Sequence, residues 1–289
     1  MKPNILFYFS DQQRADTCGC YGQRLNITPN LDQLAEGVTF DYAFTPQPVC
    51  GPSRAIFQSG LYATQTGCFR NNIMLPHNIK TLANYMEEAG YETAYVGKWH
   101  LASDGDLEAK PRIDHTITAV PLEYRGGYTG FWRAADVLEF TSHGYDGYVF
   151  DENNQRRDFK GYRVDCITDF ALEFLDGYKG DKPFFMTVSH IEPHHQNDHN
   201  HYEGPKGSKE QFANYEVPGD LAALRLLVYA LILIVAVLYN NAPALRPLRD
   251  KLNPKRLLSK LFAKRHRPEN IRDDDAAWDR IDTKIRMDE

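Results

Sequence analysis

The alternation of short apolar segments with helix-like segments constrains the fold of this chain more than any other feature. Residues 4–10, 92–97 and 183–189 are rich in apolar, branched and aromatic residues, which is typical of buried strands. Between them lie segments typical of helices, at residues 28–37, 51–59, 82–88 and 163–175. This order predicts an α/β fold, with a mainly parallel sheet that has helices on both faces.

Two further segments are less regular. Residues 38–45 are predicted to form another strand. Residues 103–154 are rich in glycine, tyrosine and aspartate, and we expect them to form an irregular insertion on the substrate side of the sheet.

Asp11 and Gln12 directly follow the first predicted strand. Ligands of open α/β sheets bind beyond the carboxyl ends of the strands, and a carboxylate next to an amide oxygen suits Ca²⁺ or Mg²⁺. Aspartate is also common after strands simply because it caps a turn. A cysteine motif at residues 50–54 favours the metal interpretation.

Lys98 and His100 stand at the end of the second strand and, being two residues apart, point the same way in extended backbone. A cation beside an imidazole suits a tetrahedral anionic ester, because lysine can hold a nonbridging oxygen and histidine can move a proton. The alternative is a surface lysine beside a partly buried histidine.

Histidines cluster between residues 190 and 201, after the third strand. Their spacing matches no structural zinc pattern with cysteines, so zinc is disfavoured. His194 is the candidate catalytic residue of this cluster, whereas His190 is interpreted as a core residue at the strand end.

The sequence Cys-Gly-Pro-Ser-Arg at residues 50–54, followed by Gln-Ser-Gly-Leu at 58–61, resembles the signature of the sulfatase family. Residues 4–22, the Gly-Lys-Trp-His sequence at 97–100 and the Pro-His pair at 193–194 resemble further motifs of that family. The resemblance implies an alkaline-phosphatase-like fold and a sulfuric ester hydrolase.

The resemblance also implies the cofactors. Cys50 would be oxidised to formylglycine by a formylglycine-generating enzyme. Asp11, Gln12 and the residue at position 50 would hold Ca²⁺ or Mg²⁺. In related hydrolases an asparagine like Asn71 faces the transferred group, although a simple turn asparagine is the alternative.

In the mechanism that the resemblance implies, the hydrate of formylglycine attacks sulfur. Arg54 lies one helical turn after position 50, so its guanidinium can reach back to it. Lys98 and His194 offset charge on the sulfuryl oxygens. His100 is the base when sulfate is eliminated.

The expected substrate is a sulfate ester of a small molecule or carbohydrate. The Asp-Gln pair also occurs in phosphonate monoester hydrolases of the superfamily, so a phosphonate or phosphate ester hydrolase is the alternative. The net charge of −6 gives no reason to expect nucleic-acid binding.

The composition changes at residues 221–239, where an apolar run contains Arg225 as its only charge. The run is long enough to span a bilayer, and a buried core helix is the alternative. Basic residues at 246–267 would favour contact with anionic lipid. The predicted organisation is a catalytic region at 1–220, a transmembrane helix at 221–239 and a polar tail at 240–289.

The sequence also gives expectations about cellular location and about the extent of the fold. The five cysteines show no framework spacing and no signal peptide is recognisable, so we expect a cytoplasmic or membrane-associated protein. The sulfatase resemblance stops near residue 221, before the motif that supplies further metal ligands. We therefore expect a truncated fold and possible loss of activity, with a catalytically dead membrane-associated fragment as the alternative.

Overall fold

The computed structural model describes residues 2–105, 112–196 and 202–214. Its strands are β1 (Ile5–Phe9), β2 (Glu92–Lys98), β3 (Phe131–Ala135), β4 (Ser142–His143), β5 (Asp146–Asp151), β6 (Arg156–Lys160) and β7 (Phe184–Ser189). Its α-helices are α1 (Pro29–Leu34), α2 (Cys50–Ser59), α3 (Ala63–Thr66), α4 (Leu82–Glu88), α5 (Leu138–Thr141) and α6 (Arg163–Gly177).

The strands of the described residues form one sheet in the order β1-β7-β2-β3-β5-β4, with β6 also paired to β5. The four strands β1, β7, β2 and β3 run parallel, whereas β4, β5 and β6 pair antiparallel at the β3 side. The prediction of a mainly parallel sheet is therefore confirmed for the half that carries the candidate site. Because these four strands are parallel, their carboxyl ends meet at one edge of the sheet.

Helices cover both faces of the sheet, as predicted. Side chains alternate along a strand, so Tyr95 and Val96 of β2 enter different cores. Tyr95 packs in the core that contains residues of α2 and α4, such as Ala55. Val96 packs in the core that contains residues of α6, such as Ile167 and Phe174.

The prediction of a strand at residues 38–45 is wrong. Val38, Phe40, Tyr42 and Phe44 alternate with smaller or polar residues, which is the pattern of a half-buried strand. The structure leaves all four side chains exposed, and the segment pairs with no strand of the described residues. The alternating apolar pattern is present in this segment, but no strand of the described residues lies beside it to form a sheet.

The expectation of an irregular insertion at residues 103–154 is also wrong in part. The segment contains β3, which is a parallel strand of the sheet, and the strands β4 and β5. β3 was missed because its sequence contains the buried Arg133, which forms ion pairs with Glu152 and Glu173. Paired with these two carboxylates, a buried arginine is tolerated in a strand.

The predicted helix at 221–239 and the boundaries of the polar tail lie outside the described residues. Among the residues that the structure describes, no helix combines the length and apolarity needed to cross a bilayer. The membrane interpretation of residues 221–239 stays a prediction.

Candidate active site

The candidate site lies where the parallel strands end. Asp11 follows β1, Lys98 is the last residue of β2, and Ser189 is the last residue of β7. Cys50 is the first residue of α2. The fold thus brings together side chains that are far apart in the sequence.

Arg54 forms hydrogen bonds with residues at the ends of all three strands. Its Nη2 donates to Asp11 Oδ2 at 2.9 Å, and its Nη1 donates to the backbone oxygen of Lys98 at 2.6 Å and to Ser189 Oγ at 2.7 Å. The guanidinium is buried. We expected Arg54 to reach back to position 50; the contacts in the structure are to the strand ends, and Asp11 in turn contacts Cys50.

Lys98 lies between two carboxylates. Its Nζ is 3.1 Å from Asp11 Oδ2 and 2.5 Å from Glu139 Oε1. Burial raises the pKa of Asp11, but the charges of Lys98 and Arg54 outweigh this effect and hold that pKa well below its usual range. Burial acts in the same way on Glu139, where the charge of Lys98 and its hydrogen bond to the carboxylate leave the pKa lowered. All four charged groups are therefore ionised at neutral pH.

The Cys50 thiol contacts both Asp11 and His194. Its Sγ lies 3.7 Å from Asp11 Oδ1 and 3.8 Å from His194 Nε2. Burial raises the pKa of this thiol, and the nearby charge of Lys98 only partly opposes the effect. The unmodified cysteine is therefore a poor thiolate nucleophile at neutral pH.

The start of α2 places residue 50 at a helix N-terminus. Val49 before it is extended, and Pro52 lies in the first turn, where a missing N–H costs little. The Gly51 N–H donates to Asn71 Oδ1 at 2.8 Å. A Cβ at residue 51 would come within 3.1 Å of that oxygen, so glycine lets Asn71 approach the helix start. The helix dipole favours an anion here.

His194 has an orientation that suits proton exchange at position 50. Its Nδ1 is 2.5 Å from the backbone oxygen of His195, so Nδ1 carries the proton and donates to it. With Nδ1 engaged in this way, Nε2 is the ring nitrogen that faces Cys50. Gln12, with a positive φ of 60°, accepts a hydrogen bond from the His195 N–H at 3.3 Å. Gln12 therefore lies close to the segment that carries His194.

His100 is buried at the wall of the site. Burial first, and then the charge of Lys98, lowers its pKa to about 3. Its backbone has a φ of 59°, and within the described residues its Nδ1 has no hydrogen-bond partner. The ring is therefore neutral at ordinary pH.

Two clefts open onto Cys50 and His194. One, of about 270 Å³, is also lined by Asn71, His100 and Glu139. The other, of about 730 Å³, is lined by Asp11, Gln12 and Arg54 as well. The predicted site residues that line the two clefts thus surround Cys50. An ester bound at residue 50 would have space in either cleft.

Glu139 and Asp136 were missed by the sequence analysis. Asp136 follows β3, and its Oδ1 accepts the N–H groups of Leu101 and Ala102, both at 2.9 Å. It thereby fixes the backbone just after His100. Asp136 could have been found by the signal that identified Asp11, which is an acidic residue at the end of a strand. Using that signal required the prediction of β3, which the sequence analysis did not make.

The possible ligand atoms at this site could supply part of the coordination shell of a hard cation such as Ca²⁺ or Mg²⁺. Single ligand atoms of Asp11, Cys50 and His194 lie within 4.8 Å of one another. Asp11 Oδ2 is occupied by Arg54 and Lys98, which leaves Oδ1 for a cation. Gln12 can add an amide oxygen, and an oxygen at position 50 after modification suits Ca²⁺ or Mg²⁺ better than sulfur does.

Comparison with known proteins identifies the family. The sulfatase family model matches residues 3–231, so the chain belongs to the sulfatase family. It is 37% identical over 204 residues to the uncharacterized sulfatase YidJ of Escherichia coli (strain K12), covering 67% of this chain and 39% of that protein. It is 32% identical over 196 residues to N-acetylglucosamine-6-O-sulfatase of Bacteroides thetaiotaomicron, covering 67% of this chain and 31% of that protein.

A solved structure agrees with this assignment. The fold is similar to that of BT4656 in complex with its substrate D-glucosamine-2-N,6-O-disulfate, with a TM-score of 0.61 and 28% identity. The similarity covers 76% of this chain and 39% of that one. The chain therefore spans well under half the length of these relatives.

Proposed function

We propose that the protein is a sulfuric ester hydrolase whose nucleophile derives from Cys50. The observation that carries the proposal is the meeting of Asp11, Cys50 and His194 at one sheet edge, with Arg54 and Lys98 directly beside them. Family membership supports the same reaction.

The proposal includes two groups that the chain must acquire. Cys50 would be converted to formylglycine by a formylglycine-generating enzyme, and Asp11, Gln12 and residue 50 would hold Ca²⁺ or Mg²⁺. These groups would supply an aldehyde hydrate as the nucleophile and a positive charge that stabilises its deprotonated oxygen.

The chain's own residues supply orientation, charge and proton transfer. Arg54 fixes the Asp11 carboxylate and thereby the direction of Oδ1 toward residue 50. Lys98 and the N-terminus of α2 favour the negative charge of the sulfuryl group. The Nε2 atom of His194 lies beside residue 50. From this position it can donate a proton to the oxygen of the leaving alcohol. His100 and Asn71, on the wall of the smaller cleft, would contact the bound ester.

We propose sulfated carbohydrates as the substrate class. The support is the relative named for N-acetylglucosamine-6-O-sulfatase activity and the similar fold of BT4656, which was solved with a sulfated glucosamine. The two clefts at Cys50 leave space for a sugar ring on the leaving-group side.

The test is a parallel assay with an aryl sulfate and an aryl phosphonate monoester. The full chain is co-expressed with a formylglycine-generating enzyme and supplied with Ca²⁺. We expect sulfate release that is lost in Cys50→Ala and retained in Cys166→Ala, a control on α6. Faster hydrolysis of the phosphonate would identify the alternative phosphonate hydrolase. A fully modified chain without turnover of either ester would contradict the proposal and favour a catalytically dead protein.

We also propose that residues 221–239 attach the protein to lipid. The support is their near-continuous apolarity and the basic residues that follow. The full chain should stay in the membrane pellet on carbonate extraction. Complete release into the supernatant would contradict the attachment.

A further inference from the structure

Glu139 is an acidic residue on the wall of a site that has to receive an anion. Its side chain is almost fully buried, with a residue exposure of 4%. Oε1 is 2.5 Å from Lys98 Nζ, whereas Oε2 is buried and has no hydrogen-bond partner within the described residues. Glu139 lines the smaller cleft together with Cys50 and His194. Its negative charge is thus close to the position of the sulfuryl group.

Pairing Lys98 is not a sufficient reason for Glu139. Asp11 already contacts both Lys98 and Arg54. Glu139 therefore makes the buried group electrically balanced, with two positive and two negative side chains. A carboxylate with one oxygen left unpaired is costly to bury, so the presence of Glu139 at this position points to an electrostatic role.

The backbone of Glu139 is also held in place by a hydrogen bond. The buried Gln196 donates from Nε2 to the backbone oxygen of Glu139 at 3.0 Å. Gln196 follows His194 in the chain by two residues. The Gln196 side chain thus links the segment that carries His194 to α5, which carries Glu139.

The consequence for anion binding follows from the charges. Without Glu139, the buried group would carry one net positive charge next to the N-terminus of α2, which itself favours anions. Such a site would hold inorganic sulfate, the product of the proposed reaction, as well as the ester. Tight binding of ground-state or product anions does not accelerate the reaction.

We propose that Glu139 is a positioning residue that acts through Lys98: it fixes the ammonium beside Asp11 and offsets its charge, so that the site releases inorganic sulfate. The inference rests on the proposed function, because it assigns sulfate as the product. It concerns a residue outside the motifs that identify the family.

The test is a calorimetric titration of the full-length, unmodified chain with inorganic sulfate. A unit charge several ångströms from the anion at an effective dielectric constant near 20 contributes enough that Glu139→Gln should bind sulfate about tenfold more tightly. Structural damage would not produce such a gain. Glu173→Gln is the matched control, because Glu173 forms its ion pair with Arg133 elsewhere on the sheet, at 2.7 Å, and its affinity should not change.

Two further variants make the test specific. Glu139→Asp keeps the charge and should bind sulfate as the wild type does, which can be checked even if Glu139→Gln does not fold. Adding Lys98→Met to Glu139→Gln should abolish the gain, because the effect requires the ammonium. Equal or weaker sulfate binding by Glu139→Gln, no binding by either protein, or a tenfold gain in Glu139→Asp would overturn the inference.

The outcome is separate from that of the proposed function. Sulfate binding requires neither formylglycine nor turnover. A chain that shows the expected affinities but hydrolyses no sulfate ester would contradict the proposed function alone. An active enzyme in which Glu139→Gln and wild type are equally inhibited by sulfate would contradict the role of Glu139 alone.

Discussion

Replacing His190 by leucine should reduce the acid sensitivity of the fold. His190 follows β7 and is buried, with an exposure of 2%. Its ring lies 5.0 Å from that of Tyr8, and within the described residues neither ring nitrogen has a hydrogen-bond partner. Burial therefore lowers the pKa of His190 from 6.5 to about 4. The native state binds a proton here less readily than the unfolded chain does.

The magnitude follows from the two pKa values. The stability linked to His190 is fully present above pH 6.5 and is lost as the pH falls from 6.5 toward 4, because only the unfolded chain is protonated in that range. Between pH 7 and pH 5, a histidine whose pKa falls from 6.5 to about 4 on folding costs the native state about 2 kcal/mol. His190→Leu should lose about 2 kcal/mol less stability than the wild type over this interval.

Urea unfolding at pH 7 and pH 5 measures the difference. The comparison between pH values removes any constant effect of the substitution on packing. His77→Leu is the control for replacing a histidine by leucine, because the His77 side chain is exposed. If wild type and His190→Leu lose the same stability between the two pH values, His190 is not buried in a neutral form and the reasoning fails.

Three further predictions concern the site and its supports. Gly97→Ala should destabilise the fold by about 3 kcal/mol or more in urea, because Gly97 has a φ of 105° and a Cβ would overlap the backbone oxygen of Ser189; a loss below about 1 kcal/mol would contradict the close approach of β2 and β7. Asn71→Ala should cost about 1 kcal/mol by removing the acceptor of the Gly51 N–H, whereas unchanged thermal unfolding would mean that this bond contributes nothing. Calorimetry should show Ca²⁺ bound with a Kd of about 1 mM or weaker, because the described residues offer few oxygen ligands, and submicromolar binding abolished by Asp11→Asn would show that the site has more ligands than we assign.

The sequence predicted the strand ends well because each carries its own local signal. An apolar run followed by a polar residue identifies both the strand and the place where its side chains meet others. Asp11, Lys98 and His194 were found in this way, and the structure brings them to one edge of the sheet. The helix predicted at residues 51–59 was also found, as α2 at Cys50–Ser59.

The rest depended on tertiary contacts that no local pattern contains. β3 includes Arg133, whose burial requires carboxylates from β5–β6 and α6, so Glu139 beyond it was not connected with the site. The alternation at residues 38–45 predicted a strand, but a strand forms only where a neighbour supplies hydrogen bonds. The direction of Arg54 toward the strand ends likewise depends on Ser189, which is distant in the sequence.

The central claim is that residue 50 becomes the nucleophile of a sulfatase site, and mass spectrometry of the tryptic peptide that ends at Arg54 tests it most directly. The full chain is co-expressed with a formylglycine-generating enzyme, and Cys50→Ala is analysed in parallel. The account predicts that the peptide carries an aldehyde in place of the Cys50 thiol, while the peptide that contains Cys166 keeps its thiol. Recovery of the Cys50 peptide entirely as thiol would contradict the account.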